Sequence, residues 1–397
     1  MVNELIREYL LLGLRYDRVV DGFVDAYTGD PGLKAQVASE PAPVPSDLAK
    51  RARELRAELP SSGLPEGRND FLDGQLHGLD VSGRKLAGEN VGFVAEVESY
   101  FQVRIEPGDE AAYDAAHRAL DDLLPGDGPL AERYVAWRER EVVPPDRLRE
   151  AVDAFSSDLR DRVRATYPLA DNEVVEYEVV TDKPWSGFNY YLGGYRSRVA
   201  INADLPVRKS DLPKLVAHES YPGHHTEHCR KERLLVEGAA EQEHTIFLVN
   251  TPECLMAEGL ADLGVRVAVG REWGAWAEAI YADLGIPFDG ALAEAVGRAA
   301  APLNNVRQDA AIMLHDRDEA EDDVVAHLAR WGLVSEERAR KSLAFLTDPL
   351  WRAYTSTYVE GYVLLGRWLD AGDSGEQFRR LLDEPLTPRA IQNALAS

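Results

Sequence analysis

Apolar residues recur at helical spacing along most of this 397-residue chain, and one stretch alone breaks the pattern. A chain patterned in this way buries its apolar stripes by packing helix on helix. One such stripe is Leu48, Ala52, Leu55 and Leu59, with Ser46-Asp47 as its expected cap and Pro60-Ser-Ser-Gly63 as its stop. Similar spacing predicts helices over 110–124, 146–166, 271–284, 319–331, 335–346 and 354–369. The exception lies at 173–202. There Glu173-Val-Val-Glu-Tyr-Glu-Val-Val180, Gly187-Phe-Asn-Tyr-Tyr191 and Arg198-Val-Ala-Ile-Asn202 are rich in β-branched and aromatic residues, with Pro184-Trp-Ser-Gly187 and Gly193-Gly194 between them. These features predict a small antiparallel meander. A helix should follow, capped by Ser210 or Asp211, with Pro213 in its first turn and His218 on its length. The expected fold is therefore mainly α, with a small antiparallel sheet next to the helix of His218. Pro/Gly-rich joints fall at 30–32, 41–45, 125–129 and 370–373, without any repeat of fixed period. We read 1–397 as a single unit, with a helical N-terminal part to about 165 and the remainder from about 166 to 397.

Charge and cysteine content narrow the function. Lys and Arg number 44 against 69 Asp and Glu, a formal net charge of -25. Bringing nucleic acid or an anionic membrane close to such a chain costs Coulomb energy, so neither is an expected partner. In MVNELIREYLLLGLRYD the apolar run is flanked by Glu4, Arg7, Glu8 and Arg15, the pattern of an amphipathic helix and not of a signal peptide. Cys229 and Cys254 are too few for a disulfide framework, and the cytoplasm is the simplest expected location.

Four of the nine histidines lie in His218-Glu-Ser-Tyr-Pro-Gly-His-His-Thr-Glu-His228. Zinc proteases commonly place two histidines at i and i+4 on one helix, with a glutamate after the first as base. His218-Glu219 fits, but Pro222 occupies the i+4 position. On an ideal helix His224 would stand roughly 9 Å along the axis and about 120° around it, out of reach of a shared ion. Pro222 removes a backbone donor and Gly223 widens the conformational choice, so a bulge is expected. A bulge that absorbs two residues returns His224 to the place of an i+4 histidine. His225 stays open as the alternative ligand or as a donor facing the substrate. His228 reads as a surface residue or a neighbour of the site, while His77, His117, His244, His315 and His327 read as packing.

The run His218-Glu-Ser-Tyr-Pro-Gly-His-His225 resembles the HExxPGHH signature of the bacterial domain of unknown function 885 family. Tyr16-Asp-Arg18, Gly22-Phe-Val-Asp-Ala-Tyr27, Trp185-Ser-Gly187 through Asn202, and Tyr358-Val-Glu-Gly361 extend the resemblance along the chain. Members of that family look like relatives of helical zinc carboxypeptidases and oligopeptidases with a deep channel, a gluzincin-like architecture. The resemblance implies a glutamate as third ligand within an ExxxD pattern, which Glu258-Gly-Leu-Ala-Asp262 matches. On that basis His218, His224 and Glu258 are the expected ligands of one zinc ion per chain. Glu219 is the expected general base, and Asp262 should support a histidine ligand from behind, with His225 nearby. Tyr358 matches a tyrosine that would steady an oxyanion.

The expected activity is zinc-dependent hydrolysis of peptide bonds in short peptides, of carboxypeptidase or oligopeptidase type. The alternatives are a zinc hydrolase of a non-peptide amide or ester, and a metal-binding protein without turnover. The strand at 196–202 is a further expectation, as an edge for an extended peptide.

Overall fold

The computed structural model describes residues 3–183 and 185–397; Met1 and Val2 of the N-terminal run, and Pro184 of the Pro184-Trp-Ser-Gly187 run, lie outside them. Every segment predicted helical contains a helix, and the chain is mainly α, with two small sheets among the described residues. The cap at Ser46-Asp47 is corrected. Pro45 opens the Pro45–Glu58 helix and Val44 precedes it without a side-chain cap, because proline in the first turn has no N–H that needs a partner. The 21-residue helix Glu66–Leu86 falls outside the predicted segments. No helix among the described residues is long and apolar enough to cross a membrane.

The first sheet has two strands, β1 (Val24–Tyr27) antiparallel to β5 (Ile246–Leu248), with an irregularity in register between Val24 and Ala26. The second has β2 (Val174–Val180), β3 (Gly187–Gly193) and β4 (Arg196–Asn202) in the order β2-β4-β3. Here the antiparallel expectation is corrected. β4 runs antiparallel to β3 but parallel to β2, so the sheet is mixed and not a meander. Burial accounts for the order: Val199, Ala200 and Ile201 are almost wholly enclosed, and the most enclosed strand takes the centre. The edge expected at 196–202 is corrected with it, since β4 is paired on both sides and β3 is an edge strand of this sheet.

The elements around His218 are set into the largest apolar cluster. Val199 and Ile201 of β4, Val216 and Ala217 ahead of His218, and Leu255, Met256 and Leu260 of the Pro252–Asp262 helix all belong to it. A second cluster joins the N-terminal helix Glu4–Asp17 to Glu66–Leu86 and β5.

Candidate metal centre

His218 ends one helix, Leu212–Glu219, and His224 begins the next, His224–Lys231. Between them the Gly223 N–H donates to Ala217 O at 2.9 Å and the Thr226 N–H to Ser220 O at 3.1 Å. Both bonds span six residues where an α-helix spans four, so the chain takes up two extra residues and then resumes. Gly223 is required there by close approach: a Cβ at that position would lie 2.0 Å from His218 O and 2.5 Å from Ala217 O. The Tyr221–Pro222 peptide within this bulge is cis.

The bulge brings the two imidazoles face to edge, with Nε2 of His224 3.1 Å from Nε2 of His218. Glu258, on the Pro252–Asp262 helix, sets Oε2 3.3 Å from Nε2 of His218 and Oε1 3.6 Å from Nε2 of His224. Asp262, one turn on, accepts from Nδ1–H of His218 at 2.9 Å. A carboxylate can only accept, so this contact puts a proton on Nδ1 and aims Nε2, the atom a metal would take, at His224 and Glu258. Burial disfavours a charged His218, yet Asp262 and Glu258 outweigh it and hold its pKa well above the ordinary value. Burial raises the pKa of Glu219, which is 6% exposed, against the pull of His218 and His224. The cluster is open on one side, where Asp262 and Tyr358 are exposed.

The donor set fits a divalent ion. Ligands about 2.0–2.1 Å from a tetrahedral zinc stand about 3.3 Å from one another, close to the three separations above. Oε2 of Glu258 is buried and makes no hydrogen bond. A second grouping, Glu241, Glu243 and His244, is less suited. There Arg68 donates to both oxygens of Glu243, at 2.6 and 2.7 Å, and already supplies the positive charge.

Two site neighbours escaped the sequence reading. Tyr354 donates to Oε1 of Glu258 at 2.7 Å. Asp25, at the β1 irregularity, has its pKa pushed up to about 7 by burial, with His224 opposing and the charges of Glu258 and Glu219 adding to it. Bulges often re-aim a side chain beside a site, but a four-residue strand gave little signal of one. Tyr358 sits with its ring centre 6.5 Å from that of His218 and 5.8 Å from that of Tyr354.

His225 is turned away from this cluster, which corrects its expected place beside the ligands. Its Nδ1 meets Ser197 Oγ at 2.8 Å and its Nε2 meets Glu173 at 3.0 Å, in full burial. Adjacent residues on a helix point about 100° apart, so with His224 facing Glu258 its neighbour faces β4. His228 stacks on Tyr191 with ring centres 4.6 Å apart.

No protein-family model matches the chain, nor does any curated protein. The family resemblance therefore rests on the residues that carry it. Two solved structures share the fold. A provisionally named lipoprotein from Colwellia psychrerythraea is similar at 16% identity and a TM-score of 0.50, over 92% of this chain and 62% of that one. A protein of unknown function from Shewanella oneidensis, also provisionally named a lipoprotein, is similar at 12% identity and a TM-score of 0.53, over 89% of this chain and 73% of that one. The chain thus spans about 62% of the Colwellia protein's length. An M32 carboxypeptidase from Deinococcus radiodurans R1 aligns at 13% identity and a TM-score of 0.41, over 100% of this chain and 95% of that one, a score that adds nothing to the fold assignment.

Proposed function

We propose that the chain is a zinc-dependent hydrolase cleaving peptide bonds in short peptides. The observation that carries this reading is the meeting of His218, His224 and Glu258 at 3.1–3.6 Å with Glu219 buried beside them. Those three residues would hold one zinc ion, and a three-ligand set leaves room for chemistry where a structural site is usually closed by four. Zinc in such a set supplies Lewis acidity, which polarises a carbonyl and makes water a usable nucleophile near neutral pH.

The remaining work falls to side chains. Glu219 takes the proton of the attacking water and returns it to the leaving amine, a role that suits a carboxylate whose pKa is raised by burial. Tyr358 donates to the oxyanion, Asp262 keeps His218 in one tautomer, and Tyr354 orients Glu258. An extended substrate would lie along the outer edge of β3. Gly187 opens that strand against Glu219, and a Cβ there would come within 3.2 Å of Glu219 Oε1. The resemblance to the domain of unknown function 885 family and its zinc peptidase relatives points the same way.

Metal content by mass spectrometry tests the reading, on wild type and on a His218→Ala/His224→Ala variant purified without chelating resin. About one zinc per chain in the wild type and none in the variant is the expected result. Glu219→Gln should then keep its zinc and lose roughly 10²–10⁴-fold in cleavage of a peptide library. A wild type that takes up no zinc when it is offered would sink the mechanism. Zinc without peptide cleavage, but with turnover of simple amides or esters, would move the substrate class.

A further inference from the structure

Glu173 lies just ahead of β2 and outside the ligand cluster, yet it is wholly enclosed and carries four partners. Its Oε1 accepts from Nε of Arg160 at 2.7 Å and from Nε of Arg164 at 2.8 Å. Its Oε2 accepts from the Tyr221 hydroxyl at 2.7 Å and lies 3.0 Å from Nε2 of His225. The two halves of this carboxylate therefore grip different parts of the molecule. One is fastened to the Leu148–Thr166 helix, which carries both arginines. The other holds the residue immediately before Pro222-Gly223 and the residue immediately after His224.

We propose that Glu173 is a positioning residue: it clamps both sides of the two-residue bulge and thereby sets His224 against His218. The inference rests on the reading of that pair as zinc ligands. A carboxylate with no exposure is held at a cost unless its oxygens are fully paired, and an apolar side chain would fill the same space without that cost. Burial alone would raise its pKa, but His225, Tyr221 and Arg160 outweigh it and hold it at about 2, so Glu173 stays an acceptor. As a fixed acceptor it takes the Nε2 proton of His225, while Nδ1 is left to accept from the Ser197 hydroxyl of β4 at 2.8 Å. His225 is thus pinned on both ring nitrogens. His224, one residue earlier, can swing only as far as that ring allows. Without the clamp, the bulge would keep the hydrogen bonds from Gly223 and Thr226, each spanning six residues, and the side-chain bonds of Asn189 to Glu219 O, of the Thr226 hydroxyl to Ser220 O and of Tyr177 to Ser220 Oγ, none of which grips His225.

The test compares wild type with Glu173→Ala, Glu173→Gln and Tyr221→Phe, each checked for folding by circular dichroism. Zinc affinity is read by competition with a chromophoric chelator. Long-range 1H–15N spectra of the imidazoles are read on metal-free protein. Folded Glu173→Ala should bind zinc about 10–100-fold more weakly, the usual size for loss of a residue behind a ligand, with partial recovery in Glu173→Gln. The metal-free His224 signals should shift or broaden in Glu173→Ala as that ring loses its fixed place against His218, while those of His218, held by Asp262, should change less. Tyr221→Phe removes one hydroxyl and little volume, so it decides the matter if Glu173→Ala does not fold; a drop of at least threefold is expected. Zinc affinity within twofold of wild type and unchanged imidazole spectra in the folded variants would overturn the clamp. A wild type that binds no zinc would instead sink the proposed activity, and the metal-free spectra would still judge Glu173.

Discussion

His218 and His224 arrive at one point with different support. Asp262 takes the Nδ1 proton of His218 at 2.9 Å, whereas Nδ1 of His224 has Glu227 4.0 Å away, itself tied to Lys231 at 2.8 Å. Burial works against protonation of both rings, but for each the neighbouring carboxylates win and the pKa is raised above the ordinary 6.5. Protons compete with a metal for the same lone pairs, so zinc retention should weaken as pH falls, beginning above the usual histidine range. Dialysis against a fixed chelator between about pH 5 and 9 measures this edge; retention that stays flat down to about pH 6 would contradict it. Asp262→Asn removes a charge that raises the His218 pKa, so the edge, read relative to the variant's own high-pH plateau, should move to lower pH. The same variant should lose about 10–100-fold in zinc affinity because the ring is held less firmly. His218-Glu219 was legible because it is local, and Glu258-Gly-Leu-Ala-Asp262 because the family resemblance supplied the pattern to look for. Tyr354 was not, because its partner Glu258 stands 96 residues away and no local pattern links the two.

At the scale of elements, close backbone approach decides more than periodicity does. A Cβ on Gly259, next to Glu258, would lie 2.5 Å from the carbonyl carbon of Gly361, and one on Gly361 would lie 2.7 Å from Leu255 O. The helix of Glu258 and the π-helical turn Thr357–Gly361, which carries Tyr358, therefore touch through paired glycines. Gly361→Ala should drive them apart and destabilise the fold by about 1–3 kcal/mol, as overpacking does. It should also lower hydrolysis, since Tyr358 and Glu258 would move relative to each other. Urea denaturation and peptide cleavage measure the two effects. An alanine accommodated at no cost in either would show that the contact is looser than its geometry implies. The same kind of approach hid the Glu66–Leu86 helix. Gly78 and Gly83 lie so near Asn250 O and the Tyr16 hydroxyl that a Cβ would come within 2.6 and 2.3 Å of them. Such glycines read as breakers in a sequence. The order of the sheet was hidden for a related reason: strand content shows in residue type, but neighbours are chosen by burial, and β4 took the centre.

At the scale of the whole molecule, buried charge joins the N-terminal part to the middle of the chain. Arg68, on the Glu66–Leu86 helix, holds Glu243, and Gln75 of the same helix donates to Glu253 at 3.3 Å; Lys231 reaches Glu253 at 3.1 Å and Glu227 at 2.8 Å. The helices of His224 and Glu258 are thus braced by the N-terminal part, although sequence alone suggested only helices there. Around this core the excess of 69 acidic over 44 basic residues leaves 25 uncompensated negative charges. Two effects of salt then oppose each other. Exposed ion pairs such as Lys50–Glu54 and Lys341–Glu337 lose attraction, but such pairs contribute little to stability. Self-repulsion of the excess acts over the whole surface, and it is damped as the screening length falls from about 30 Å at 0.01 M to about 10 Å at 0.1 M. Repulsion should win, because every uncompensated carboxylate contributes and the unfolded chain spreads the same charges farther apart. Thermal unfolding in sodium chloride from about 0.01 to 0.5 M is therefore expected to shift upward, with most of the gain below about 0.1 M, where the screening length changes most. A midpoint that falls with salt would mean that the ion pairs, and not the net charge, set the electrostatic balance of the folded chain.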